Sequence, residues 1–369
     1  MTPYFKELHA AVIAHGGYFN AHLHLDRAGT YHPTVEMLKA LGEDDGTNRP
    51  ISGKHAIIPM VHNSACYDPD ELYARVEPYI LEMIEVGTVR ADTVVDTTTD
   101  RVGTTALETF ARLKEAHKDK IDLRIGSYSP LGFRDDEPAR WELVRDAAET
   151  ADFIGLLPER DDKADYPDHI GFEESCRRSI DLAHRLGKQI HIHVDQANHS
   201  YEDGAELVVN LVRQMELGLP ESAEPFIWLI HVISPSTYDE ARFTALASAM
   251  GALNIGIICC PAAALSMRQL RPFHTPTSNS IARVLDFVFH GVQVRLGSDN
   301  ICDITSPMGT PNLMDELRAL GDAVRYYDID FLARLAAGKR IDKTGLEKLA
   351  AHLDADRVFT DLVVSKYTK

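Results

Sequence analysis

The 369-residue chain has only five cysteines, Cys66, Cys176, Cys259, Cys260 and Cys302, and no two of them have CxxC spacing. A disulfide scaffold or a zinc ribbon needs more thiols at closer, recurring intervals, so both are excluded. Cys259 and Cys260 fall inside an apolar run and are expected to be buried as small hydrophobes. Basic residues are also scarce: 38 Lys and Arg stand against 56 Asp and Glu, a formal charge of −18. Long-range repulsion on that scale opposes nucleic acid as a partner. No run of about 18 consecutive apolar residues is present, and MTPYFKELHAAVIAHGGYF at the N-terminus lacks a basic segment leading into an apolar one. The expectation is a cytoplasmic protein with no membrane partner. No Gly-rich phosphate loop follows the first strand-like segment, which argues against a dinucleotide-binding sheet.

What is present is a regular alternation. Eight short segments rich in Val, Ile, Leu, Thr and aromatics predict strands at 18–25, 88–98, 121–128, 152–157, 189–195, 226–232, 254–260 and 292–298. Amphipathic stretches such as ALETFARLKEAHK, FEESCRRSIDLAHRLG and TYDEARFTALASAMG occupy the intervals and predict helices. With 44% hydrophobic residues the chain can bury one large core. The pattern predicts an α/β fold, a (β/α)8 TIM barrel, as one domain over 1–369. Residues 31–70 are too long for an ordinary strand-to-helix connection and predict an active-site lid of loop and small helices. Helices over 312–355 are expected to cover the eighth strand and the barrel exterior.

The motif AHLHLD sets His22 and His24 two residues apart, so both imidazoles share one face of the first strand. An isolated HxH means little without partners. Here His193 ends the fifth strand in QIHIHVDQ, His231 ends the sixth in FIWLIHVIS, and Asp299 follows the eighth in VQVRLGSDN. All lie at the strand ends from which barrel enzymes draw their catalytic groups. His22, His24, His193 and Asp299 are the expected ligands of one divalent metal ion. Imidazole and carboxylate donors suit zinc best, and iron or manganese are acceptable by ligand type. Such an ion activates water, Asp299 can take the proton, and His231 can polarise a substrate oxygen. His191 shares the parity of His193 and is expected one layer deeper, as a core or supporting residue. Asp26 and Arg27 are expected to form a structural ion pair or to shape the substrate rim.

These residues resemble the amidohydrolase superfamily, and within it the cytosine deaminase-like branch. The likeness spans roughly 18–318 and rests on HLHLD at 22–26, GLLPE at 155–159, HVDQ at 193–196, His231, and GSDNICDITSPMGTPNLMDEL at 297–317. It implies metal-assisted hydrolysis at a C–N centre, with a small amino-heterocycle as substrate. Cyclic-amide ring opening or amide hydrolysis is the alternative, and a non-catalytic small-molecule-binding barrel a further one. A homo-oligomer is left open. The chain departs from the branch in four places. Position 196 is Gln where the branch has the proton-shuttling Glu of HxxE, and an amide is neither acid nor base near neutrality. Gln196 is therefore expected to orient substrate while Asp299 and His231 handle protons, the alternative being a substitution that disables catalysis. GSYSPLGF after the third strand has no glutamine to read a pyrimidine edge, though Tyr128 or Ser129 offers a hydroxyl. The segment before His22 is too short for the accessory β-sandwich. Glu159 stands where a bimetal-bridging lysine would be, and a surface or substrate-rim position is expected for it.

Overall fold

In the computed structural model, which describes residues 1–47, 49–217, 224–267 and 280–367, eight parallel strands follow one another around a barrel in chain order. They are β1 Tyr18–Leu23, β2 Thr88–Asp96, β3 Asp122–Tyr128, β4 Phe153–Leu156, β5 Ile190–Val194, β6 Ile227–His231, β7 Gly256–Cys259 and β8 Val294–Leu296. Every one lies within its expected segment. The segments were legible because a barrel strand is buried on both faces and so reads as a short apolar run. The barrel closes between β1 and β8. Leu23 bridges Asp299 in parallel, the His24 amide donates to the Asp299 carbonyl at 3.2 Å, and the Asp299 amide donates to the His22 carbonyl at 3.0 Å.

Register decides which side chains share the lumen. His191 pairs with Trp228 and His193 with Ile230, so all four point to the same side of the sheet. Phe19, Ala21, Trp228, Ile230, Ile258 and Cys260 fill one part of the interior, and Val94, Tyr128, Phe153 and Leu157 another. The Trp228 indole fits because β7 begins with Gly256, where a Cβ would lie 2.5 Å from the ring. Below the site the filling is charged. Arg295, 1% exposed, pairs with Glu224 at 2.9 Å and lies 4.0 Å from the Trp228 ring centroid, while Arg90 makes a two-point contact with Asp92. The larger apolar clusters lie outside the strands, beneath the helices.

Between β1 and β2 the chain forms helices Tyr31–Ala40, Ile51–His55, Ile58–His62 and Pro69–Glu85, with residue 48 of the expected lid outside the described residues. After β8 come helices Leu313–Val324, Ile329–Ala336 and Lys343–Tyr367. The last continues beyond the expected limit of 355 and leaves the body. Among the described residues no helix is long and apolar enough to cross a membrane.

Candidate metal centre and active site

Three imidazoles and one carboxylate meet at the barrel seam. His22 Nε2 is 3.0 Å from His193 Nε2, and His24 Nε2 is 3.3 Å from the same atom. Asp299 Oδ1 lies 3.4 Å from His24 Nε2 and 3.8 Å from His22 Nε2. One donor atom from each of the four residues falls within 4.8 Å of the others, and all four residues are buried. The two histidines of β1 arrive together because residues two apart share a strand face. Asp299 turns in just beyond β8 with φ of 60°, and His231 ends β6 at φ of 74°. Non-glycine residues seldom hold these left-handed conformations, and strain of this kind collects at working sites.

The donor set fits a divalent ion. The Nδ1–H of His193 donates to the Leu156 carbonyl at 3.0 Å, which leaves its Nε2 a bare lone pair aimed into the cluster. Two further Nε2 atoms and a carboxylate oxygen crowd the same point, an arrangement of acceptors that a cation relieves. Burial pushes the His193 imidazole down to about 3 and the Asp299 carboxyl up to about 7. It also holds His22 and His24 well below the usual range, with His193 beside the first and Arg27 beside the second adding repulsion. Neutral imidazole is the ligand form.

His231 sits outside this cluster, its Nε2 3.9 Å from Asp299 Oδ2. Asp299 thus faces the ligand histidines with one oxygen and His231 with the other. Burial lowers the His231 pKa to about 4, so the ring is neutral at physiological pH. Gln196 is 5% exposed and lines the pocket above the cluster together with His24, Arg27, His55, Tyr128 and Asn300. The space they enclose is narrow, on the order of a single water molecule in size. The Gln196 Nε2 donates to Glu159 Oε2 at 2.8 Å. Glu159 does not belong to the four-residue cluster, and its other oxygen is buried without a partner. Burial, with Glu202 and Asp195 near, raises its carboxyl well above the usual range.

The wall on the β2 side is a buried charge network. Arg27 donates to both oxygens of Asp96 at 2.9 and 2.6 Å, His62 bridges Asp96 at 2.9 Å and Asp100 at 2.6 Å, and Tyr67 donates to Asp26 and Asp96 at 3.0 Å each. Arg27 therefore pairs with Asp96 at the end of β2, not with its neighbour Asp26, and still faces the pocket. Burial alone would lower the His62 imidazole, but its bonds to Asp100 and Asp96 raise it to about 9. Sequence reasoning missed His55 and His62. Each is a single histidine in a segment without periodicity, and only the fold carries the 51–62 helices across the barrel mouth. His191 lies deeper, 4.3 Å from Phe153 and 6.0 Å from His22 between ring centroids. Cys259 and Cys260 are buried as expected.

No family model matches the chain. Among curated proteins it is similar to an uncharacterized protein of Haemophilus influenzae, 29% identical over 282 residues that span 74% of this chain and 93% of that protein. It is also similar to a pterin deaminase of Rhizobium rhizogenes, 23% identical over 253 residues, 69% of this chain but only 54% of the deaminase. Among solved structures it is similar to Klebsiella pneumoniae 5-methylcytosine deaminase liganded with 5-fluorocytosine, with a TM-score of 0.73, 22% identity, and coverage of 88% of this chain and 74% of that one. The likeness is one of fold, an eight-stranded parallel (β/α)8 barrel surrounded by helices. A second solved structure, N-isopropylammelide isopropylaminohydrolase from Burkholderia multivorans, has a TM-score of 0.62 at 20% identity and covers 91% of this chain and 82% of its own. Among the described residues, His22, His24, His193 and Asp299 form a buried group that could hold a metal ion.

Proposed function

We propose that the chain is a metal-dependent C–N hydrolase that removes an amino or alkylamino group from a small polar heterocycle. The observation that carries this reading is the convergence of His22, His24, His193 and Asp299 beneath a narrow pocket lined by polar side chains. A divalent ion held by these four residues, zinc by donor type, supplies Lewis-acid activation of water. Asp299 is assigned to accept the proton from the attacking water, since one of its oxygens faces the ligand histidines and the other faces His231. The neutral His231 is assigned to stabilise the charge that grows on the substrate during attack. Gln196 orients the ring by hydrogen bonding, its amide held by Glu159. The deaminases and the aminohydrolase among the similar proteins support the choice of an exocyclic C–N bond.

The test is turnover of zinc-loaded protein on a panel of aminopterins, aminopyrimidines, alkylamino-triazines and cyclic amides, with ammonia, free amine and ring-opened product measured in parallel. Release of ammonia or amine from at least one ring is expected. Ring-opened product without amine loss replaces this reading with cyclic-amide hydrolysis. Tight ligand binding with no turnover replaces it with a binding barrel.

A further inference from the structure

The final helix, Lys343–Tyr367, is two segments of different character. Its first half is anchored. Leu349 is fully buried, Lys348 pairs with Asp328 at 2.9 Å, and His352 lies 4.7 Å from the Tyr326 ring centroid. From Asp354 to Lys366 every residue is exposed, although this stretch contains Val358, Phe359, Leu362 and Val363, at 60, 67, 54 and 52% exposure. At 100° per residue these four side chains span about 140° of the helix circumference, with Ala355 and Lys366 on the same arc. A helical extension of this length with its side chains exposed is marginal in water, since packing of an apolar face supplies most helix stability. The apolar stripe therefore calls for a cover.

We propose that the cover is the same stripe of a second copy of this chain, paired antiparallel about a two-fold axis between Phe359 and Leu362. Charge placement argues for this occupant and this direction. Asp356 and Asp354, the latter paired with Arg357 at 3.3 Å, flank the stripe at its start, and Lys366 lies on it at its end. Antiparallel pairing sets Ala355 against the partner's Lys366, which brings that ammonium between Asp354 and Asp356, and the symmetry repeats the contact at the other end. Parallel pairing would instead stack acid on acid and base on base. The spacing Ala355, Phe359, Leu362, Lys366 alternates four, three and four residues, the seam of a short two-helix coil. Two paired segments of about 20 Å bury less than most stable protein interfaces, so a concentration-dependent dimer follows rather than a permanent one.

Sedimentation velocity of the full-length chain from about 1 to 300 μM tests this, with circular dichroism and bound metal measured on each variant. A shift from monomer to dimer within that range is expected, along with its loss in Phe359→Glu/Leu362→Glu at unchanged metal content. The charges supply the sharper comparison. Lys366→Glu alone, and Asp354→Lys/Asp356→Lys alone, should each weaken the dimer about tenfold or more, and the triple variant should recover most of that loss. A wild-type chain that stays monomeric throughout overturns the proposal. So does a dimer indifferent to these changes, or a triple variant weaker than either parent. Binding of monomer to vesicles of anionic phospholipid, abolished by Phe359→Glu/Leu362→Glu, would assign the stripe to a membrane surface instead.

Discussion

At the scale of single residues, the two groups that separate this pocket from a plain metal cluster are Asp299 and Gln196. Asp299 combines a place among the ligands with a second oxygen toward His231, whereas Gln196 offers hydrogen bonds only. Asp299→Asn is therefore expected to lose on the order of 10²-fold or more in kcat, and Gln196→Ala much less, in steady-state kinetics normalised to bound metal. Comparable losses in the two variants would reject the assigned proton path. Gln196→Glu distinguishes a rewired site from a damaged one: reduced or altered activity on the native substrate is expected, and a sharp rise in turnover would mark the glutamine as a disabling change. Glu159 is proposed to act through the Gln196 amide that it accepts from at 2.8 Å. Its removal should copy Gln196→Ala, and the double variant Glu159→Ala/Gln196→Ala should be little worse than either single one. Independent, additive losses in KM and kcat would show that Glu159 works on its own.

At the scale of elements, the seam between β1 and β8 and the end of β2 position the site. A Cβ at Gly297 would stand 2.8 to 2.9 Å from the His22 backbone and Cβ, so only glycine lets β8 approach β1 closely enough to bring Asp299 to His22. Gly297→Ala is expected to cost about 1–3 kcal/mol of stability and to weaken metal binding at least tenfold, read by chelator competition. Near-parent affinity would show that the seam tolerates the shift. The β2 network carries a pH signature. Folding raises the His62 pKa from 6.5 to about 9, so the folded protein binds that proton more tightly than the unfolded chain does. The stabilisation is complete below pH 6.5 and fades as pH climbs through 9. His62→Gln should cost on the order of 2–4 kcal/mol in urea unfolding at pH 6 and clearly less at pH 10. A penalty independent of pH would mean that His62 is not protonated between Asp96 and Asp100.

At the scale of the whole molecule, the cluster ties metal binding to folding. An ion that binds only the folded state at a thousand times its dissociation constant stabilises by about 4 kcal/mol. Elemental analysis is expected to find about one divalent ion per chain. Chelation should lower the midpoint of thermal unfolding by roughly 5 °C or more, with recovery on adding zinc. A reproducible content near two in active protein would reject the single-ion assignment.

The fold was largely readable in the sequence because each barrel strand is a local object. Burial on both faces imposes an apolar run of about five residues, and parallel pairing imposes a helix before the next run. His22, His24, His193 and Asp299 were readable for the same reason: strand parity and strand ends can be counted along the chain. Partnerships between distant segments could not be counted. That Arg27 chooses Asp96 over adjacent Asp26, that Glu159 holds Gln196, and that His55 reaches the pocket depend on where β2, β4 and the 51–62 helices pass in space. Nor does the sequence mark where the last helix leaves the body, since apolar residues return at Val358, Phe359 and Leu362 after the charged stretch that follows Leu353. Local patterning determined the strands and the four clustered residues, because those follow from the geometry of one strand at a time. Tertiary structure alone decided the second ring of polar contacts and the unpaired stripe, because both depend on which surfaces meet.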